Sequence, residues 1–242
     1  MENINFNSQY WDGFYDWKGA GEEWSEMWGG SRAQWLGSLY PRISAYLPSE
    51  TILEIAPGFG RWTQFLLSGC KRFVGVDLSL ECVDACIERF SGVDHAIFVK
   101  NDGKSLEIAE SGSVDFLFSF DSLVHANLEV MQAYAPEILR VLSPNGAAFI
   151  HHSNWLEVGD EVENPHGRGS DMSAELFAEA IKDAGGHVYI QEKINWGLPG
   201  CSDCLTLFGW KNKEPTFIRN EDFMLEGNNI CKYQSPYSKI SR

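Results

Sequence analysis

The chain has 242 residues, 44% of them hydrophobic, with 19 Lys and Arg against 34 Asp and Glu for a formal charge of −15. That length buries a full core as one domain with an appendage, and the negative charge argues against a broad nucleic-acid surface because a polyanion is repelled by it. No window approaches the roughly 18 continuous apolar residues of a membrane helix, so a small-molecule partner is expected and no membrane.

The N-terminus, "MENINFNSQYWDG", has neither a basic patch nor an apolar run of signal-peptide length, and a cytoplasmic protein is expected. Residues 1–46 hold five tryptophans (Trp11, Trp17, Trp24, Trp28, Trp35) among glycines and acids, which predicts an aromatic-rich helical cap or lid. From Thr51 the pattern changes. Short branched or aromatic runs predict strands at 51–56, 71–76, 96–99, 114–120, 146–152, 187–195 and 204–210. Helical patterns at 61–68, 80–90 and 127–142 lie between the first five, so those strands are expected to be parallel with crossover helices. "SAELFAEAIKDAGG" predicts a further helix, with Ser173 as N-cap and a glycine pair as stop. The last two strands are joined by "GLPGCSD", too short for a crossover, and should form a hairpin with one antiparallel strand. The expected domain is 47–212, followed by a loosely packed tail, 213–242. Six cysteines (Cys70, Cys82, Cys86, Cys201, Cys204, Cys231) are expected reduced, and the Cys201–Cys204 spacing lacks the second pair of a zinc site.

The stretch "ILEIAPGFGRWTQFLLSGCKRFVGVDLS" concentrates the chemistry. Gly58 and Gly60 let the backbone pass close to a ligand, and Asp77, at the end of the second strand, is positioned to accept hydrogen bonds from both hydroxyls of a ribose. Thr63 stands where a dinucleotide fold would have its third glycine, which disfavours NAD, although an NAD-dependent oxidoreductase and a binding module without catalysis remain the competing classes.

The pattern E-x-A-P-G-x-G from Glu54 resembles the first motif of class I S-adenosylmethionine-dependent methyltransferases, and the likeness runs from Thr51 to Trp210. It implies a Rossmann-like α/β fold, a seven-stranded, mostly parallel sheet with one antiparallel strand, and S-adenosylmethionine as cofactor. Motif by motif, it implies Glu54, Gly58 and Gly60 in the glycine turn, Asp77 on the ribose, and Leu78 beside the adenine. "KNDGKSL" offers Asn101, Asp102 and Gly103, with Asp102 for the adenine amino group. "VDFLFSFDSLVH" offers Phe120, Asp121 and Ser122 near the amino-acid end and the reacting methyl. Arg61 departs from the small residues common in the motif and is expected to pair with an acid of the cap. "YDWKGAGEEWSEMWGGS" and "IHHSN" are similar to small bacterial methyltransferases of surface-polysaccharide and sugar modification, which implies O-methylation of a sugar or glycan precursor (capsule or O-antigen). An amine, carboxylate or phosphorus-linked acceptor is the alternative.

A cationic cofactor suits an acidic, aromatic-lined site, with Trp28 the expected lid contact. An alcohol acceptor needs a base. His125, four residues after Asp121, would share a helical face with it, and His151 and His152 close the fifth strand, so only one of them reaches the pocket. His125, Asp121 and His152 are the catalytic candidates. Asn154, His166 and Arg168 are candidate substrate contacts, the latter two within the loop 156–171. The histidines with Asp121 form a lesser alternative, a divalent-metal set. Monomer or homodimer is expected.

Overall fold

Alternation along the strands decides how the sheet is covered. In the computed structural model, which describes residues 2–159, 161–198 and 200–238, Leu53, Val74, Leu117 and Ile150 fall in one buried cluster and Ile52, Phe73, Phe116 and Phe149 in another. Strand side chains point alternately to opposite faces, so both faces of the sheet carry a core. Asp160 in the expected substrate loop, Pro199 in the hairpin connection and the last four residues of the tail lie outside the described residues.

Among the described residues eight strands form one sheet: β1 (Ser49–Ile55), β2 (Cys70–Asp77), β3 (Ala96–Lys100), β4 (Val114–Ser119), β5 (Leu142–Ser153), β6 (His187–Ile194), β7 (Asp203–Gly209) and β8 (Thr216–Asn220). Their order is β3-β2-β1-β4-β5-β7-β6-β8. Only β7 runs antiparallel to its neighbours, pairing with β5 and β6. Among the described residues five helices have eight residues or more: α1 (Glu2–Gln9), α2 (Leu80–Arg89), α3 (Leu128–Val141), α4 (Ala174–Asp183) and α5 (Phe223–Ser238). The Oγ of Ser79, Oδ1 of Asn127 and Oγ of Ser173 each accept a backbone N–H of the first turn of α2, α3 and α4. The helix expected at 61–68 shrinks to Thr63–Leu66 followed by a tighter turn over Leu67–Gly69.

The expected loose tail is corrected by the eighth strand. β8 pairs parallel with β6 from Ile190↔Thr216 to Ile194↔Asn220, and Phe223, at the start of α5, is fully buried against Trp28 and Trp196. Ladder hydrogen bonds and two anchor points hold a segment whose side chains stay mostly exposed, so no hydrophobic pattern announces it. Ion pairs fasten it further: Arg42 bridges Glu192 of β6 and Glu226 of α5, 2.7 Å from each.

Trp28 and Trp35 of the N-terminal segment join the core on the phenylalanine face of the sheet. Trp11, Trp17 and Trp24 go elsewhere, to the ends of the parallel strands.

Candidate active site

The first strand ends in a run of backbone with three left-handed positions, two of them glycines. Ala56 and Gly58 have φ of 56° and 57°, and Gly60 has 81°. Such left-handed backbone turns the chain at the carboxyl edge of the sheet, where open α/β sheets form their ligand crevice. A side chain on Gly58 would touch Trp17 at 3.0 Å, whereas one on Gly60 would strike Phe90 at 2.4 Å. Gly58 therefore serves the crevice. Gly60 does not line it and serves close packing against the end of α2.

Asp77 lies across the turn. Its Oδ2 accepts the N–H of Gly58 (3.0 Å) and its Oδ1 that of Ser79 (2.9 Å), which fixes the carboxylate at the cavity wall. Burial pushes this carboxyl up to about 6, against the lowering effect of those two amides. Glu54 does not reach the cavity. Its carboxyl is fully buried, accepts the Thr63 hydroxyl at 2.5 Å, and is pushed up to about 8 by burial, with the charge of Asp77 adding to the shift. It ties β1 to the turn that follows.

The cavity opens to solvent, and its wall joins the glycine turn, Asp77 and the ends of the neighbouring strands. Leu78, Asn101 and Gly103 form one end with Tyr134, whose hydroxyl accepts from Asn101 Nδ2 at 2.9 Å. Asp102 is exposed and turned away: its Oδ1 accepts the N–H groups of Lys104 and Ser105 (3.0 and 2.7 Å), so it caps its own turn. Short loops of this kind use Asp for local backbone bonds, a role the motif alone does not distinguish from ligand contact.

Phe120, Asp121 and Ser122 line the other end. Asp121 has φ of 62°, and its carboxylate takes Arg61 Nη2 at 2.7 Å. Arg61 also donates to Ser25 Oγ at 3.2 Å. The expected partner of Arg61 was an acid of the N-terminal segment. Instead that segment supplies a hydroxyl and the strand exit supplies the charge.

The histidines separate. Residues 123–125 form a single tight turn rather than a helix, so Asp121 and His125 do not share a helical face. His125 lines the cavity, its Nδ1–H donating to the carbonyl of Gly167 at 3.2 Å and its ring 5.4 Å from that of Trp11. That bond leaves Nε2 as the unprotonated nitrogen of the neutral ring. Burial, with the charge of Arg168 adding to it, holds this imidazole below the usual histidine range. His151 accepts the Asp121 N–H at Nδ1 (3.1 Å) and donates from Nε2 to Asp203 (3.1 Å). His152 points to the opposite face, against Phe177, and accepts the Thr206 hydroxyl at 2.8 Å. The strand's two-residue repeat therefore removes His152 from the site, and burial pushes it down to about 4. The divalent-metal alternative loses its geometry with it: the three histidines do not converge with Asp121, and among the described residues no cluster of three such ligands occurs.

Asn154 is buried between backbone groups, giving a hydrogen bond to the Cys201 carbonyl and taking one from the Ala174 N–H. His166 is an exposed loop residue off the wall. Arg168 does line the cavity, but its guanidinium grips Asp203 through Nε (3.0 Å) and Nη2 (2.9 Å). Burial by itself would raise Asp203; Arg168 and the His151 N–H hold its carboxyl well below the usual range. Trp28 is corrected as well. It is 1% exposed, donates to Ser38 Oγ at 3.0 Å, and has no face on the cavity.

Sequence reasoning missed Trp11, Trp17 and Trp24 as wall residues and Asp12, which accepts the Ser79 hydroxyl at 2.6 Å beside Asp77. The clustering of tryptophans signalled a cover, but their spacing did not say which of them reach the strand ends.

Residues 52–146 match the family model of a methyltransferase domain. Over this segment, under half of the chain, the match is to a methyltransferase. The sequence motif beginning at Glu54 implies S-adenosylmethionine as the cofactor. The chain is 30% identical over 170 residues to phosphoethanolamine N-methyltransferase 1 of Triticum aestivum, a match that takes in 65% of this chain. It spans about a third of that relative's length, 32%. Among solved structures, a protein of Pyrococcus horikoshii OT3 superposes with a TM-score of 0.57 at 20% identity, covering 73% of this chain and 89% of that one. A glycopeptide N-methyltransferase complexed with S-adenosylmethionine gives a TM-score of 0.55 at 15% identity, covering 73% of this chain and 87% of that one. These two likenesses extend the methyltransferase fold beyond the matched segment. Among the described residues no helix is long and apolar enough to cross a membrane.

The wall suits the cofactor. Asp77 keeps acceptor capacity beyond its two backbone bonds, and aromatic rings surround the space a sulfonium would enter, where a ring face contributes about 0.5–2 kcal/mol. The indole N–H of Trp62, on the same wall, is buried without a partner, a donor of the kind a ligand's carboxylate satisfies.

Proposed function

We propose that the chain methylates a small molecule, and that the acceptor is a hydroxyl of a sugar or surface-glycan precursor such as one for capsule or O-antigen. The observation that carries methyl transfer to an acceptor that must lose a proton is His125: an imidazole on the cavity wall, its Nδ1–H committed to a carbonyl and its Nε2 left basic. An alcohol must lose its proton as it attacks, and a placed base contributes about 10²–10⁴ in rate. S-adenosylmethionine supplies the electrophilic methyl on its sulfonium. Asp77 would hold the ribose hydroxyls, Leu78 and Asn101 with Gly103 the adenine side, and Phe120, Asp121 and Ser122 the amino-acid end. Trp11, Trp17 and Trp24 would close over the ligands and exclude water. Alignment of the acceptor in such a closed site supplies several kcal/mol, within the roughly 7–11 that orientation offers.

Nitrogen is the second acceptor, favoured by the wheat relative, whose name specifies N-methylation of phosphoethanolamine. His125 serves it equally, since an ammonium must also be deprotonated before attack.

Calorimetric titration with S-adenosylhomocysteine and with NAD tests the cofactor, and binding of the first without the second is the expected result. Transfer of labelled methyl to a panel of nucleotide sugars and phosphorylated amino alcohols then separates oxygen from nitrogen. His125→Ala should keep near-normal S-adenosylhomocysteine affinity and lose about 10²–10⁴ in turnover. Turnover at the parent rate would remove His125 as the base.

A further inference from the structure

The turn that carries His125 is held from two sides by segments remote in sequence. From the N-terminal side, Asn3 Nδ2 and Asn7 Nδ2 both donate to the His125 carbonyl (3.1 and 3.3 Å). Asn3 Oδ1 also accepts the N–H of Asn127 at 3.2 Å. Asn127 is the N-cap of α3, so one asparagine of α1 spans both ends of the short link between His125 and that helix. Trp11, just past α1, lays its ring beside the imidazole.

From the other side comes the loop between β5 and α4. Its Gly167 carbonyl takes the His125 Nδ1–H, its Gly169 N–H donates to the Val124 carbonyl at 2.9 Å, and Asp171 Oδ1 accepts the Leu128 N–H at 3.1 Å. The approach is close: a side chain on Gly169 would strike the Ala126 carbonyl oxygen at 2.2 Å. Asn164 braces this loop internally by exchanging hydrogen bonds with the N–H and C=O of Arg168, both 2.8 Å.

Resting on the reading of His125 as the base, we infer that Asn3 and Asn7 of α1 and the Asn164-braced loop are positioning elements for it. Together they set the place of its ring and commit its tautomer, so the base is assembled only when both segments have closed on the turn. The two contacts are complementary. The loop carbonyl decides which nitrogen carries the proton, and the asparagines fix the backbone on which the ring is mounted. Asn3, Asn7 and Arg168 also line the cavity, and the positioning of His125 is a separate role from any contact they make with the ligands. The charged groups acting on the imidazole are Arg168, Asp121 and Asp203.

Histidine-selective ¹⁵N NMR of the full chain tests this without knowing the acceptor, with His125→Gln assigning the resonance. At neutral pH the parent should show His125 protonated at Nδ1, with a titration midpoint below that of a solvated imidazole. The variant Asn3→Ala/Asn7→Ala and, separately, Asn164→Ala should each give a mixed-tautomer signal and an upward-shifted midpoint. Unchanged tautomer and midpoint in both folded variants would overturn the inference. So would a loss of thermal stability with no change at His125, since that is the mark of a merely structural role. S-adenosylhomocysteine titration of the same samples keeps the outcomes apart: parent protein that fails to bind it removes the methyltransferase reading, whatever the His125 signal does.

Discussion

Arg61 and Asp121 make the sharpest energetic test of the site. Their side chains are only 8% and 7% exposed, with Nη2 and Oδ2 2.7 Å apart. A pair this far from solvent is not screened as surface pairs are, and removing one partner strands the other charge at a cost of about 3–5 kcal/mol. Arg61→Met keeps much of the aliphatic bulk and removes the guanidinium that lies 4.7 Å from the Trp62 ring, so a loss toward the upper part of that range is expected. Asp121 has left-handed backbone, a conformation that Asn also tolerates. The double variant Arg61→Met/Asp121→Asn therefore removes both charges without new strain and should recover about 2 kcal/mol or more, appearing as positive coupling in a double-mutant cycle. Urea unfolding followed by tryptophan fluorescence gives the free energies, with unchanged m-values required for the comparison. If Arg61→Met costs less than about 1 kcal/mol, the pair behaves as an exposed one and the electrostatic account of this wall is wrong.

Glu54 should give stability a pH dependence of unusual sign. Its folded carboxyl is raised to about 8 from an ordinary 4.5, so the native state holds a proton that the unfolded chain releases, and stability falls as pH rises between those values. Glu54→Gln keeps an acceptor for the Thr63 hydroxyl and should be neutral near pH 4 but stabilising by on the order of 2–4 kcal/mol at pH 8, measured by urea unfolding at both pH values. Asp77, raised to about 6, makes a matching statement about ligand: ribose hydroxyls donate to the ionised carboxylate, so S-adenosylhomocysteine affinity should drop as pH falls through about 6, and Asp77→Asn should flatten that dependence in calorimetry. Phe223→Ala, which empties a fully buried site between Trp28 and Trp196, should cost about 3–5 kcal/mol while leaving S-adenosylhomocysteine affinity unchanged, because the ring lies off the cavity.

What the sequence determined by itself was local. The run of branched residues into Pro57, the glycine turn, and an acid at the close of the next strand were enough to predict a crevice with Gly58 and Asp77 on its wall, because each depends on neighbours a few residues away. The antiparallel hairpin was equally legible, since seven residues of connection cannot make a crossover. Tertiary structure decided the rest. Which face of β5 each histidine takes depends on register: His152 packs against Phe177 and His151 turns to Asp121 and Asp203, so neither lines the cavity, although one of them was expected there. Whether Arg61 meets an acid of the N-terminal segment or Asp121, and which of five tryptophans cover the cavity, depends on chain segments separated by tens of residues. β8 shows the same division at the sheet edge: a mostly exposed strand is specified by the partner it pairs with, and that partner is set by the fold rather than by anything in its own five residues.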